Sequence, residues 1–414
     1  MKNIKILCTL GPSSMKRRVI RRLDELGVNL FRLNLSHINI EELEDMIKLI
    51  QGFSDVPICL DTEGAQIRTG NVKDGKVFVK EGDNVTIISK EIIGKELQLL
   101  LTPENVIGQL NVGDFISIDY DTCLLRVIER DAIGLKAIVL SDGTIASNKG
   151  ACIVNKKIDL DPLSLKDILA IKIGKKMNIK HIALSFANRA KDVQLLRDLC
   201  DIDVVVISKI ETHEGLLNLQ EITRLSDAIL IDRGDLSKEE SIVNIPFLQK
   251  WIIKEVNKTN KEVYVATNLL ESMINHKSPT RAEVNDVINT LIDGADGLVL
   301  AAETAIGKHP LASVDFIRSL IMRYYDNREI NTLLDDPHII LSPLLNPPHG
   351  DKLVQQIRTQ NVISSIDDYE HKLTVDEAVL MDLEQIANGG YSPLKGFMDE
   401  NEVKTPVATG PKAE

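Results

Sequence analysis

Long apolar runs, paired cysteines and an excess of positive charge are all missing from this 414-residue sequence. No apolar stretch approaches the roughly 20 residues that cross a bilayer, and no leader-like segment precedes the first strand pattern, so we expect a cytoplasmic protein without membrane partners. The five cysteines are scattered and form no C-x-x-C pair, which is typical of a reducing compartment. A net charge of -12 argues against nucleic-acid binding through phosphate contacts.

What the sequence does contain is a regular alternation of short, β-rich apolar runs with amphipathic helical patterns. Alternation of this kind is typical of a parallel sheet covered by helices, and eight such units close into a barrel. We therefore predict an α/β fold built on a (β/α)8 TIM barrel. The eight predicted strands cover residues 4–10, 30–35, 57–60, 181–186, 204–210, 228–231, 263–266 and 297–300.

The alternation is interrupted between residues 70 and 155, where Gly-Asp and Asp-Gly pairs separate short alternating runs. We predict a small β-barrel domain there, inserted after the third barrel strand and placed to close over the catalytic rim as a lid. The barrel domain then comprises residues 1–69 and 156–330. A run of prolines marks the start of a separate segment at residues 335–414, with a disordered tail.

One strand pattern carries Lys209, and Glu211 follows two residues later, so both side chains leave the same face at the carboxyl end of the strand. That end holds the chemistry of parallel α/β barrels. The next strand is followed by Asp235, and Mg²⁺ binds one or two carboxylates. We predict a Mg²⁺ site at Glu211 and Asp235, with Lys209 neutralising a transferring phosphoryl group. The alternative is a structural ion pair of these acids with Lys209 or Arg233.

Arg233, Gly234 and Asp235 stand at a predicted helix start, where free backbone N–H groups attract a carboxylate or a phosphate. Gly-Asp turns are also common on surfaces, so this signal alone is weak. Thr267 ends another strand and adds a hydroxyl to the same rim, although a lone threonine in a strand is more often a good strand former.

A strictly alternating stretch directs Arg32, Asn34 and Ser36 to one side of the second predicted strand. Asp61 and Thr62 end the strand that follows. Polar groups in a barrel mouth are costly unless they are used, so we interpret these oxygens as a cage for a monovalent cation. The alternative is a rim whose polar groups are satisfied by solvent.

Eight motifs along residues 1–322 resemble pyruvate kinase in their order and spacing. They are T-L-G-P-S-S, F-R-L-N-L-S-H, D-T-E-G-A-Q-I-R-T-G, I-S-K-I-E-T-H-E-G, D-R-G-D-L, A-T-N-L-L-E-S-M, P-T-R-A-E-V-N-D-V and E-T-A-I-G-K-H-P. The resemblance implies a kinase that converts phosphoenolpyruvate and ADP into pyruvate and ATP. It also implies a barrel domain interrupted by a β-barrel domain.

The resemblance assigns a role to each candidate residue. Lys209 assists phosphoryl transfer, Arg32 meets the transferring phosphate, and Thr267 belongs to the route that protonates enolpyruvate. Glu211 and Asp235 match the Mg²⁺ ligands. The remaining matches are the substrate-carboxylate contacts Arg233, Gly234, Asp235 and Thr267, the K⁺ ligands Asn34, Ser36, Asp61 and Thr62, and the nucleotide-phosphate contacts Arg68 and Lys149.

Several positions depart from the family pattern. Gln66 stands where a glutamate accompanies K⁺ dependence, which leaves the use of K⁺ open. Glu63 replaces the usual lysine and places an extra negative charge near the expected ADP phosphates. Asp232 replaces an alanine, and residues 301–302 are Ala-Ala where Ser-Gly is usual. Two alternatives follow from these changes: a Mg²⁺-dependent lyase or phosphotransferase acting on another enolate-forming acid, and a non-catalytic scaffold.

The segment at residues 335–414 carries P-P-H-G-D-K-L-V and D-L-E-Q-I-A-N-G-G-Y-S-P-L-K-G-F-M, which resemble the amino-terminal, PUA-like part of ATP sulfurylase. The resemblance stops before that family's catalytic motifs, so we expect no sulfate adenylylation from this segment. It implies a sulfate-activating enzyme as a partner that uses the ATP. A homo-oligomer is expected.

Overall fold

The computed structural model describes residues 3–88, 97–119, 122–131, 134–154 and 156–326. These residues belong to one unit of the chain, Met1–Asp326. The predicted segment at residues 335–414 lies outside the described residues. Among the helices that are described, none has both the length and the apolar composition needed to cross a membrane.

Seventeen β-strands are present in the described ranges. In chain order they are β1 Lys5–Thr9, β2 Leu30–Asn34, β3 Ile58–Asp61, β4 Ile67–Thr69, β5 Lys76–Val79, β6 Asn84–Ile88, β7 Gln98–Thr102, β8 Phe115–Ile118, β9 Cys123–Arg130, β10 Leu135–Val139, β11 Gly143–Ala146, β12 Gly150–Ile153, β13 His181–Leu184, β14 Val205–Ile210, β15 Ala228–Asp232, β16 Glu262–Ala266 and β17 Gly297–Leu300.

The same ranges contain twelve α-helices. They are α1 Arg17–Glu25, α2 Ile40–Gln51, α3 Asn105–Gln109, α4 Leu165–Lys176, α5 Ala190–Leu199, α6 His213–Leu217, α7 Leu219–Leu225, α8 Arg233–Glu239, α9 Ile245–Asn257, α10 Arg281–Ile292, α11 Ala302–Ala305 and α12 Pro310–Asp326. Three short 3₁₀ turns complete the regular structure, at Leu35–His37, Lys73–Gly75 and Glu271–Ile274.

Eight strands close into one parallel barrel, in the order β1-β17-β16-β15-β14-β13-β3-β2. The predicted TIM barrel is therefore confirmed. Its strands are buried along most of their length because side chains on one face fill the interior and those on the other pack under the helices. This two-sided burial explains why the strands appear in the sequence as short continuous apolar runs.

Seven further strands close into a second, smaller barrel, in the order β10-β6-β7-β4-β12-β8-β9, and β5 pairs with β11 beside it. This confirms the predicted insertion of a small β-barrel. Its core is formed by alternating apolar residues such as Leu99 and Leu101 on β7 and Val85 and Ile87 on β6. The exact domain bounds given above stay predictions.

Helix starts follow the capping chemistry in part. Ser164 caps α4 and forms a reciprocal capping box with Asp167. Ser13 and Ser14 do not cap α1, which begins after Lys16 without a side-chain cap. Ser14 is instead buried, and its hydroxyl accepts a hydrogen bond from the Gly11 N–H.

Candidate active site

Six polar side chains form a layer at the carboxyl end of the barrel interior, which we call the polar layer. Along a strand, side chains two positions apart share a face, so each of these residues stands one level above an apolar residue of the interior. The residues below are Leu7, Leu30, Cys59, Ala183, Ile207 and Leu230. The polar layer itself consists of Thr9, Arg32, Asp61, Ser185, Lys209 and Asp232.

Lys209 lies at the centre of the polar layer and is only 4 % exposed. Its Nζ lies 2.8 Å from Glu211 Oε1 and 3.5 Å from both Asp61 Oδ1 and Asp232 Oδ2. It also donates a 3.2 Å hydrogen bond to Ser185 Oγ. Burial alone would lower the pKa of Lys209, but the three carboxylates outweigh it and raise the pKa. The ammonium group therefore stays charged at neutral pH.

Arg32 forms the second cationic centre of the polar layer. Its Nε donates a 2.8 Å hydrogen bond to Asp61 Oδ2, and its terminal nitrogens contact Asp61 Oδ2 at 2.5 Å and Thr9 Oγ1 at 3.0 Å. Burial opposes the charge, yet the carboxylates of Asp61 and Asp232 raise the pKa of Arg32 above its ordinary value. The guanidinium is thus fixed by Asp61 in a buried site.

Glu211 follows the end of β14 and is 1 % exposed. Its Oε2 accepts a 2.6 Å hydrogen bond from the Phe186 N–H. Its Oε1 lies close to Lys209 Nζ but receives no hydrogen bond of acceptable geometry from any described residue. Burial, with added repulsion from Asp235 and Asp232, raises the pKa of Glu211 despite the nearby ammonium group. This buried oxygen is available for a cation.

Asp232 ends β15 and is 7 % exposed. Its Oδ1 accepts a 2.6 Å hydrogen bond from Thr267 Oγ1. Burial would raise the pKa of this carboxyl group, but Lys209 and Arg32 lower it to about 2. Asp232 is therefore a buried, ionised carboxylate that faces the same space as Lys209.

The carboxylates of Glu211, Asp232 and Asp235, which we call the acidic trio, each offer an oxygen within 4.8 Å of the other two. Oxygen ligands of one Mg²⁺ or Ca²⁺ ion lie about 2.0–2.6 Å from the metal, so such spacing fits a shared ion. Asp235 is also paired with Lys238 on the outer side. Glu211 forms the predicted ion pair with Lys209, whereas Asp235 pairs with Lys238 and Arg233 pairs with Asp286, and the assignment of Glu211 and Asp235 to Mg²⁺ stays a prediction.

Arg233 directs its guanidinium away from the acidic trio. Its Nε and one terminal nitrogen donate to the Thr267 carbonyl at 3.1 and 2.6 Å, and the other terminal nitrogen contacts Asp286 at 2.7 Å. Thr267 has a positive φ of 76°, a backbone conformation that β-branched residues rarely adopt. Arg233 therefore positions the Thr267 backbone, which in turn places its hydroxyl on Asp232.

Gly234 packs directly against Thr267, and its replacement by alanine is expected to lower the free energy of unfolding by about 1–3 kcal/mol. An added Cβ would lie 2.7 Å from Thr267 Cγ2. Urea denaturation followed by circular dichroism measures the change. Gly108→Ala is the matched control, because the described residues leave open space around the same added methyl group there. Equal stability losses in the two variants would contradict the close packing.

The four residues predicted to bind K⁺ lie at the ends of neighbouring strands, where Asn34 and Asp61 are direct partners in the sheet register. The predicted alternation stops at Asn34, however, because β2 ends there and a 3₁₀ turn follows. Asn34 Oδ1 accepts a 3.0 Å bond from the Ser36 N–H, and Thr62 Oγ1 accepts a 3.0 Å bond from the Ser185 N–H. Ser36 therefore belongs to a turn rather than to the strand face.

Arg68 on β4 lies opposite Gly150 on β12 in the second barrel, and Gly150 directly follows Lys149. Arg68 donates a 2.8 Å hydrogen bond to the Asn148 carbonyl, and Lys149 Nζ lies 2.9 Å from an Asp119 carboxylate oxygen. The structure thus brings the two predicted nucleotide contacts side by side. Each cation already has a partner in the protein.

Glu63 does not stand as an unpaired negative charge. Its Oε1 lies 2.9 Å from Lys166 Nζ, and its Oε2 accepts a 3.2 Å hydrogen bond from Ser164. Lys166 also donates to the Leu35 carbonyl at 2.5 Å. The ammonium group of Lys166 therefore reduces the expected repulsion of nucleotide phosphates by Glu63. The pattern of predicted strands did not indicate this contact.

Three side chains of the polar layer received no role from the sequence, namely Thr9, Ser185 and Asp232. All three could be found by counting two positions beyond an interior residue, from Leu7, Ala183 and Leu230. Asp232 was noted only as a departure from the family pattern. The structure places it between Lys209 and Thr267, in contact with both.

Comparisons with known proteins agree with this architecture. Residues 1–314 match the family described as "Pyruvate kinase, barrel domain", and residues 346–410 match one described as "PUA-like domain". Pyruvate kinase of Staphylococcus epidermidis is 34% identical over 346 residues, covering 81% of this chain and 59% of the relative. Pyruvate kinase of Thermotoga maritima is 37% identical over 322 residues, covering 76% of this chain and 69% of the relative. The chain thus spans 59% of the length of the staphylococcal protein.

Proposed function

This chain belongs to the pyruvate kinase family, and on that basis we propose that it transfers a phosphoryl group from phosphoenolpyruvate to ADP, forming pyruvate and ATP. The observation that carries the proposal is the position of Lys209. Its ammonium group is buried and fixed 2.8 Å from a carboxylate oxygen of Glu211. A cation held in this way suits a reaction in which negative charge moves between oxygens.

Lys209 and Arg32 supply the fixed positive charge for the transfer. Phosphoryl transfer needs little covalent help from the protein and depends mainly on positioning and neutralisation of charge. Both groups keep their protons at neutral pH, because neighbouring carboxylates raise their pKa values. We assign Lys209 to the phosphoryl group and the enolate oxygen, and Arg32 to the transferring phosphate.

The ligands proposed for Mg²⁺ are Glu211 and Asp235. The buried Oε1 of Glu211, which receives no well-aligned hydrogen bond from the described residues, and the spacing of the acidic trio fit a divalent ion with oxygen ligands. When bound, Mg²⁺ would neutralise charge on substrate oxygens. Glu211 itself is held in place by the Phe186 N–H, so its second carboxylate oxygen has a defined direction.

We propose that Thr267 takes part in the protonation of the enolate. Cleavage of the phosphate ester leaves an enolate whose terminal carbon must take up a proton, and a hydroxyl on the rim can pass one on. Thr267 Oγ1 donates a 2.6 Å hydrogen bond to Asp232 Oδ1. Gly234 and Asp235 offer backbone N–H groups for the substrate carboxylate, and Arg233 keeps the Thr267 backbone in place.

Nucleotide phosphates are assigned to Arg68 and Lys149, which lie next to each other on the second barrel. K⁺ is proposed as a second cation, with oxygens of Asn34, Ser36, Asp61 and Thr62 as its ligands. Amide and hydroxyl oxygens that accept one hydrogen bond keep a second lone pair for a cation. The amide of Gln66 lies beside them, with Nε2 3.5 Å from Ser36 Oγ.

The test is an assay of pyruvate formation from phosphoenolpyruvate, ADP and Mg²⁺, coupled to NADH oxidation by lactate dehydrogenase. We expect turnover that requires both ADP and Mg²⁺, because ADP is the acceptor and the acids need a counter-ion. A reaction without ADP serves as the control for hydrolysis. Absence of pyruvate under all these conditions would refute the proposal.

A second reaction is supported by one observation, the hydrogen bond between Asp232 and Thr267. It engages the hydroxyl that a phosphoenolpyruvate carboxylate would use, which favours a different enolate-forming acid as substrate. A thermal shift with oxalate and Mg²⁺ but none with ADP would support this reading. A shift with both ligands would support the kinase.

The carboxyl-terminal segment adds a proposal about partners. Residues 346–410 match a PUA-like domain, and the sequence resembles the front part of ATP sulfurylase. We propose that ATP made at the barrel is passed to a sulfate-activating enzyme. A homo-oligomer is proposed as the working form.

A further inference from the structure

The buried charges around Lys209 do not balance. Two buried cations, Lys209 and Arg32, face three buried carboxylates, Asp61, Glu211 and Asp232. With all three carboxyl groups ionised the site holds one excess negative charge, and burying an unpaired charge is costly, so the excess is removed either by a proton, in line with the raised pKa of Glu211, or by a further cation. Without Asp232 the two signs would be equal. The excess is therefore a property of this position in this chain.

The geometry of the acidic trio gives that cation a place. Glu211 uses Oε2 for the Phe186 N–H, and its buried Oε1 lies 2.8 Å from Lys209 Nζ without a hydrogen bond of acceptable geometry from the described residues. Asp232 uses Oδ1 for the Thr267 hydroxyl, and its Oδ2 stands 3.5 Å from Lys209 Nζ. One oxygen from each carboxylate, Asp235 included, lies within 4.8 Å of the others.

We propose that Asp232 is a third carboxylate ligand of the divalent-cation site, and that it strengthens the binding of Mg²⁺ or Mn²⁺ in the absence of any substrate. Mg²⁺ sites with one or two carboxylates depend on substrate oxygens to complete the coordination. A third carboxylate supplies both an additional oxygen ligand and an additional negative charge that attracts the cation. Oxygen ligands of this kind suit Mg²⁺, Mn²⁺ and Ca²⁺ and disfavour softer metals.

The inference uses the cation site of the proposed function but needs no reaction. Lys209 and Thr267 hold Asp232 from two sides, so its carboxylate is positioned before the cation arrives. A preformed ligand loses little conformational freedom on binding, which favours affinity. The consequence is a protein that carries its cation before phosphoenolpyruvate or ADP binds.

The test is direct titration of the full chain with Mn²⁺, with free Mn²⁺ measured by electron paramagnetic resonance and no substrate or nucleotide present. We expect one tight site in the parent and an affinity about tenfold weaker or worse in Asp232→Ala. Asp232→Asn keeps an oxygen for the Thr267 hydroxyl and loses only the charge, so it covers the case in which the alanine variant is poorly folded. It should weaken Mn²⁺ binding as well.

Asp45→Ala is the matched control, because it removes one negative charge from an exposed position on α2. Its Mn²⁺ affinity should equal that of the parent. An asparagine variant that binds Mn²⁺ as tightly as the parent overturns the inference, as does a parent that binds no Mn²⁺. A parent that binds Mn²⁺ through Asp232 but forms no pyruvate would refute the kinase proposal and leave this inference intact.

Discussion

Replacing Lys209 with methionine lowers the rate of pyruvate formation by about three orders of magnitude, the scale on which loss of one fixed transition-state charge reduces phosphoryl transfer. Methionine fills a similar volume without the ammonium group. The coupled pyruvate assay at saturating phosphoenolpyruvate and ADP measures the effect on kcat. Lys258→Met is the control, because it removes an exposed lysine that pairs only locally with Glu255.

A second measurement separates lost chemistry from lost folding in Lys209→Met. Removing the ammonium group leaves Asp61, Glu211 and Asp232 with one cation fewer, so the variant should bind Mn²⁺ at least as tightly as the parent. Mg²⁺ should also raise its melting temperature by more than it does for the parent. An active variant, within tenfold of the parent in kcat, would remove Lys209 from the mechanism.

Replacing Arg32 with glutamine is expected to lower the free energy of unfolding by about 3–5 kcal/mol. Arg32 is 6 % exposed and Asp61 is 1 % exposed, so the change leaves a buried carboxylate without its closest cation. Urea denaturation of the parent and the variant measures the loss. The same variant should also lose activity, because the transferring phosphate is assigned to this guanidinium.

The double variant Arg32→Gln/Asp61→Asn tests the cause of that loss. It removes the Asp61 carboxylate charge together with the Arg32 cation, so part of the lost free energy of unfolding should be recovered. Arg22→Gln is the control, because Arg22 forms an exposed pair with Glu25 and exposed pairs contribute about 0–1 kcal/mol. If Arg32→Gln costs no more than this control, the buried pair does not stabilise the barrel as described.

The sequence was sufficient to predict the barrel because both faces of its strands are buried, so that each strand is a short continuous apolar run. Each of the eight predicted apolar runs corresponds to a barrel strand, and their ends differ from the structure by only a few residues. The strand period was also sufficient to place Lys209 beside Glu211, since residues two positions apart share a face. The contact between them is observed at 2.8 Å.

Contacts between distant segments could not be predicted in the same way. Lys166 reaches Glu63 from a helix about a hundred positions later in the chain, and no local pattern marks that meeting. Ser36 was placed on the strand because the polar alternation continues through it, but the Asn34 side chain caps a 3₁₀ turn there. Local hydrogen bonding of an asparagine thus ended the strand at Asn34, one residue before the predicted end at residue 35.

The way in which β1 closes the barrel has a consequence for biosynthesis. One side of β1 pairs with β2, which follows soon after it, but the other side pairs with β17, with Lys5 opposite Gly297. The Ile4 N–H also donates to the Tyr325 hydroxyl, 321 positions away. During translation, one edge of β1 therefore stays without its strand partner until almost the whole barrel has been synthesised. We expect chaperones to bind nascent chains of intermediate length, because an unpaired strand edge promotes aggregation.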